Sequence, residues 1–291
     1  MARRPNRGIR VNQLRQQAAR HASHGLYREA EGCLRKALRL IAGRHAPPTL
    51  DHLLLWNELG MACKYSGKFG SAVRCYRLAL RHAPRLLAGR ERNFFLANLY
   101  HNLGGLEHSR RRFPRGERYA RKSLEVRRKV AGANSLAVAA DKAALAAILD
   151  GQSKFAESEK LYRQALRTYR REYGTSHPEI AVILNNLGAL YQATARRGRA
   201  ESKYRAALEM KRIELGASHP DVAVTLNNLA LCYQSRGDAN GAKRYFRRAV
   251  RILDATIGSS HPSARAVRSN ILQLKLSLES DSRTKPPPRF P

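Results

Sequence analysis

Residues 174–191 read Gly-Thr-Ser-His-Pro-Glu-Ile-Ala-Val-Ile-Leu-Asn-Asn-Leu-Gly-Ala-Leu-Tyr, and residues 216–233 read Gly-Ala-Ser-His-Pro-Asp-Val-Ala-Val-Thr-Leu-Asn-Asn-Leu-Ala-Leu-Cys-Tyr. The copies lie 42 residues apart; Gly258-Ser-Ser-His261-Pro262 opens a third at the same distance, and Gly132 falls one period earlier. Behind the first two follows a second amphipathic run, Ala200 to Leu208 and Ala242 to Val250. A fixed period of this length with helical spacing of the apolar residues makes the unit a pair of helices and the chain an array of such pairs.

Working outward from Gly188 in steps of 42 or 44 places small residues at Ala18, Gly60, Gly104, Ala146, Gly188 and Ala230. A second small site follows at Ala30, Ala72, Gly116, Ser158, Ala200 and Ala242, and a third at Ala37, Ala79, Ser123, Ala165, Ala207 and Ala249. Small residues at matched places on successive helices let the backbones approach, while Leu34, Tyr76, Tyr162, Tyr204 and Phe246 fill the space beside them.

Trp56-x-x-Leu59-Gly60, then Ala72-x-x-x-Tyr76, Ala79 and Pro84, resemble the tetratricopeptide repeat, with Cys63 where that family usually has Tyr. The longer unit, with Asn-Asn in its first helix and His-Pro before it, is similar to the kinesin light chain type of that repeat. The resemblance implies an all-α, right-handed superhelical solenoid of six helix-turn-helix repeats with a C-terminal capping helix. The expected repeats are residues 11–46, 49–88, 93–132, 135–174, 177–216 and 219–258, with the cap at 262–279. A basic N-terminal tail, 1–10, and a disordered proline-rich tail, 280–291, flank them. Repeats one, three and four depart from the pattern at Gln17, Glu107 and Lys142.

The 55 Lys and Arg against 22 Asp and Glu give a net charge of +33. The longest apolar runs, such as Leu53 to Trp56 and Ala143 to Leu149, fall short of the roughly 18 to 20 residues of a membrane helix. Four cysteines without CxxC spacing argue against a disulfide framework or zinc site, and fit a reducing, cytoplasmic setting. Arg3, Arg4, Arg7, Arg10, Arg15 and Arg20 precede the first acid, Glu29, a composition shared with transit peptides; residues from about 11 align with the first repeat, which leaves only a short basic tail.

The recurring His-Pro steps do not read as metal ligands. Equivalent residues of stacked repeats stand at least 8–10 Å apart, whereas zinc ligands lie about 2 Å from one ion. Gly174 and Gly216 are expected to end helices at positive φ, and Ser176-x-x-Glu179 and Ser218-x-x-Asp221 to form capping boxes with proline in the first turn. No HExxH, GxSxG or phosphate-loop pattern occurs. No catalytic residue, cofactor or metal is expected, and the chain reads as a non-enzyme.

In this family the first helices of the repeats line the concave surface, and in the kinesin light chain type their asparagines contact the backbone of an extended peptide. The resemblance places Asn185, Asn186, Asn227 and Asn228 in that role; the rival reading is that one amide of each pair bonds to the neighbouring repeat. Asn57, Lys64, Asn98, His101, Asn102, His108, Gln192 and Gln234 continue the lining, while repeat four offers Ala140, Ala143, Ala147 and Asp150. Second helices carry arginine in register at Arg35, Arg77, Arg121, Arg163, Arg205 and Arg247, a basic convex stripe. The expected function is a protein-interaction adaptor that binds an extended, acidic partner in the groove. The alternative is a nucleic-acid-associated regulator that uses the basic face.

Overall fold

A computed structural model describes residues 7–43, 47–259 and 261–284. The described residues are all-α: α1 (Arg7–Ser23), α2 (Tyr27–Ile41), α3 (Leu50–Tyr65), α4 (Phe69–Leu86), α5 (Gly89–Ser109), α6 (Phe113–Ala131), α7 (Leu136–Asp150), α8 (Phe155–Tyr173), α9 (Pro178–Ala193), α10 (Arg197–Leu215), α11 (Pro220–Gln234), α12 (Ala239–Thr256) and α13 (Pro262–Thr284). The chain forms two compact units, residues 1–161 and 162–291, whose boundary falls inside α8. The first holds hairpins α1–α2, α3–α4 and α5–α6, with α7 packed on α5 and α6. The second holds hairpins α9–α10 and α11–α12, with α13 packed on α11 and α12.

Helix α1 starts at Arg7, inside the expected basic tail, and α13 runs five residues past the expected cap, to Thr284. The remainder of both tails, 1–6 and 285–291, lies outside the described residues.

All the expected small positions are buried. A Cβ on Gly60 would lie 2.5 Å from the ring of Tyr76, and one on Gly188 2.7 Å from that of Tyr204, so these rings occupy the space a larger residue would need. In α5–α6 the ring gives way to Ala120, and the backbones close instead: a Cβ on Gly116 would lie 3.2 Å from the Gly104 carbonyl. Tyr76, Tyr162, Tyr204 and Phe246 are fully buried, each worth about 1.5–3 kcal/mol of apolar burial.

The junctions between repeats follow the expected glycines but not the expected caps. Gly174, Gly216 and Gly258 have φ of +77°, +86° and +85°, the left-handed turn that ends the preceding helix. The following N-caps are His177 and His219, one residue beyond the serines of the expected capping boxes. Each imidazole Nδ1 accepts from a backbone amide two residues on, Glu179 at 3.2 Å and Asp221 at 3.1 Å, with proline at the first helical position. His261 does the same for Ser263 at 3.2 Å. Proline fixes the residue before it in extended backbone, which makes that residue the cap and aims its side chain at the orphan amides. Ser176 is left to donate to Glu214 Oε1 across to α10.

Candidate functional site

Except in repeat four, the first helix of each repeat carries two adjacent polar residues, three and two positions before the small residue. In the first unit Asn102 donates from Nδ2 to Asn57 Oδ1 at 2.9 Å, and Arg15 pairs with Glu58 through Nη2 at 2.5 Å. In the second unit Asn228 donates to Asn185 Oδ1 at 3.1 Å and Asn270 to Asn227 Oδ1 at 2.9 Å. Every rung obeys one rule: the first polar position of a repeat meets the second position of the next. Asn185 of one pair and both Asn227 and Asn228 of the other therefore bond across repeats, where the rival reading of the asparagines had one amide of each pair do so.

The rung leaves each amide half used. Asn57, Asn185 and Asn227 spend their carbonyl oxygen and keep the Nδ2 donor; Asn102, Asn228 and Asn270 spend a donor and keep the acceptor. In repeat four the two positions are Ala143 and Ala144, which carry no amide. Asn186, the second amide of repeat five, is half-buried and makes no hydrogen bond among the described residues, and neither does Gln234. Gln192 is engaged, accepting from the hydroxyl of Tyr204 at 3.2 Å.

Other expected groove residues of the first unit belong to a buried polar cluster. His101 Nδ1 lies 2.7 Å from Asp141 Oδ1, while Arg127 donates from Nε to Asp141 Oδ2 at 2.9 Å and from Nη1 to Asn98 Oδ1 at 2.7 Å. The Ser123 hydroxyl stands 2.9 Å from Asp141 Oδ2 and 2.8 Å from the Ala97 carbonyl. Burial alone would raise the Asp141 carboxyl, but hydrogen bonds from His101 and Arg127 outweigh it and hold it below the usual range. The sequence reading missed Asp141; its signal was a single acid within the apolar turns of Leu136 to Leu149. Lys64 sits over the Tyr65 ring at 4.4 Å, and its charge, after burial, lowers the pKa of His108.

The six stripe arginines are all exposed, yet four are engaged. Arg35 pairs with Glu31 at 2.9 Å, and Arg121 with Glu117 at 2.8 Å and Glu157 at 2.9 Å. Arg163 donates to the Tyr191 hydroxyl at 3.3 Å. Arg205 pairs with Glu201 at 2.7 Å and donates to the Tyr233 hydroxyl, which itself donates to Glu201 at 2.8 Å. Burial and that bond to a carboxylate push the Tyr233 phenol up to about 12. Arg163 and Arg205 clamp a second helix to the first helix of the next repeat, and the signal was legible: Tyr191 and Tyr233 follow them at one shared offset.

Among the described residues no group of His, Cys, Asp and Glu is placed to hold a metal ion, and no helix is long and apolar enough to cross a membrane. The four cysteines are buried and free. No curated protein matches the sequence. Of solved structures, BtubC (BKLC) of P. vanneervenii is 25% identical with a TM-score of 0.58, over 88% of this chain and 91% of that one. A Rap protein complexed with competence and sporulation factor shares the fold at 12% identity and a TM-score of 0.70, over 97% and 80%. The apo quorum sensor NprR of B. thuringiensis does so at 15% and 0.63, over 93% and 70%. Tetratricopeptide repeat models match residues 54–85, 95–170, 142–213 and 199–255. With its paired helices in a 42-residue register and closing on small residues, the chain belongs to the tetratricopeptide repeat family.

Proposed function

We propose that the chain is a non-catalytic adaptor that binds another protein through an extended, acidic segment laid along the first helices of its repeats. The observation that carries this reading is the half-used amide ladder. Each rung keeps a donor on one side and an acceptor on the other, and Asn186 keeps both, which suits a peptide backbone whatever its side chains. Family membership supports a binding role, and the Rap protein of similar fold is itself seen in complex with competence and sporulation factor. With four stripe arginines already engaged, the nucleic-acid reading has less to stand on than the protein reading.

The test is fluorescence anisotropy with a library of labelled acidic peptides against wild type and Asn186→Leu. The variant should keep its melting temperature and bind about 1–3 kcal/mol more weakly, the cost of leaving peptide polar groups unpaired. Affinity should persist from low to physiological salt, whereas phosphate binding falls steeply as counterions are released. Unchanged binding by Asn186→Leu across the library would move the peptide off these helices.

A further inference from the structure

The clamp of repeat five is inverted in repeat six. Stepping by 42 from Glu201, Arg205 and Tyr233 gives Lys243, Arg247 and Lys275, so the carboxylate and the phenol that hold the stripe arginine are both replaced by ammonium groups. None of Lys243, Arg247 and Lys275 makes a hydrogen bond or ion pair among the described residues. Arg247 and Lys275 are exposed and Lys243 is half-buried. Together with Phe246, Ile271 and Leu274 they line a notch of about 150 Å³ between α12 and α13. Lys243 and Arg247 also belong, with Asn240, Arg244, Arg248 and Arg251, to one continuous basic face of α12. Among the described residues no carboxylate lines the notch or that face.

Like charges brought together without a counter-charge repel, and a solvated helix face would relieve that by spreading them. Here they surround an apolar floor, with Phe246 fully buried and Leu274 nearly so. The preceding repeat shows what this geometry accepts, because there Glu201 sits between Arg205, Arg236 and the Tyr233 hydroxyl.

We infer that the α12–α13 face is a second binding site, which takes an acidic polypeptide segment carrying one large apolar side chain. The segment's carboxylates stand in for the missing Glu at Lys243, Arg247 and Lys275, further carboxylates follow the arginines along α12, and the apolar side chain enters the notch. Charge complementarity sets the class of partner, and the notch selects polypeptide over nucleic acid, whose backbone would engage the cations and leave the apolar floor unfilled. This site is distinct from the amide ladder and does not depend on it.

The experiment uses the full chain and three probes: a labelled glutamate-rich peptide of about ten residues with one central leucine, the same peptide with serine in place of leucine, and a DNA duplex. Lys243→Glu with Lys275→Tyr rebuilds the internal clamp of repeat five. It should keep or raise the melting temperature while weakening the leucine peptide about tenfold or more. Arg81→Glu with Arg85→Ala on α4 makes the same charge change on exposed residues elsewhere and should leave that peptide's affinity nearly unchanged. Arg247→Ala should weaken the peptide in the same direction as the rebuilt clamp, without creating a carboxylate. The serine peptide should bind clearly more weakly than the leucine peptide. An equal loss in the α4 variant would reduce the effect to net charge, and equal binding of the two peptides would remove the notch from the site. Either result overturns the inference, as would a duplex that binds here more tightly than the leucine peptide and is released by the rebuilt clamp.

Discussion

Positions 123, 127 and 141 and positions 165, 169 and 183 are equivalent by the repeat period, yet they are built from opposite materials. In the first set Ser123, Arg127 and Asp141 close a buried ion pair around a hydroxyl; in the second Ala165, Tyr169 and Ile183 are apolar and buried. A third version, at 207, 211 and 225, puts Ala207 beside Lys211, whose ammonium donates to Thr225 Oγ1 at 3.1 Å. One backbone thus accepts an ion pair, a hydrocarbon contact or a single buried ammonium. What the repeat requires is a small residue at the first position and a complete set of partners for whatever fills the other two.

That comparison breaks most sharply at Asp141. Asp141→Ala leaves Arg127 buried without its counter-charge, and thermal melts should show a loss of about 3–5 kcal/mol. The carboxylate also carries a pH signature. Its folded pKa lies below the unfolded value of about 3.9, so its stabilisation is complete above that value and is lost as pH falls through the folded pKa. The melting temperature of wild type should therefore fall more steeply below about pH 4 than that of Asp141→Asn.

Overpacking the small position is the next largest effect. Ala207 is fully buried, and Ala207→Leu should cost on the order of 1–3 kcal/mol, read from a urea melt. A cost near zero would mean that 207 is not a helix contact and that its equivalence to 123 and 165 fails. Asn228→Leu follows, because it removes the donor to Asn185 and should cost about 1 kcal/mol. Asn186→Leu, at the equivalent position of the preceding repeat, should cost almost nothing, so the pair separates rung from surface.

The smallest effect sharpens the comparison furthest. Ser123→Ala with Arg127→Tyr and Asp141→Ile copies the apolar set into the ionic seam. Since well-packed apolar replacement of a buried ion pair is often neutral or stabilising, the triple variant should melt close to wild type and well above Asp141→Ala. A triple variant as unstable as the single one would show that Asn98 and His101 depend on the ion pair for their own satisfaction.

The period, the small positions and the arginine register were legible because each reflects one-dimensional spacing. Gly174 and Gly216 were legible for the same reason, since a turn at positive φ selects a residue type directly. The histidine caps were not: Ser and Asp are the common capping residues, and only the fixed geometry before Pro178 and Pro220 promotes the imidazole. Nor was the fate of His101 and Asn98, whose partners Asp141 and Arg127 come from other helices at separations that no local pattern marks. The asparagines were half legible. Their type announced a hydrogen-bonding role, but whether a neighbour or a ligand completes it depends on what stands one repeat away.

The rungs also bear on how such an array can grow or shrink in evolution. Near-identical copies invite recombination in their genes, yet a repeat can be gained or lost cleanly only where the two positions brought together still match. A duplicated repeat five would present asparagine to asparagine and keep its rung. Joining repeat three directly behind repeat one would deprive Arg15 of Glu58 and set the amide of Asn102 in its place. The N-terminal end of the ladder is therefore keyed to its place, whereas copy number can drift among the Asn-Asn repeats.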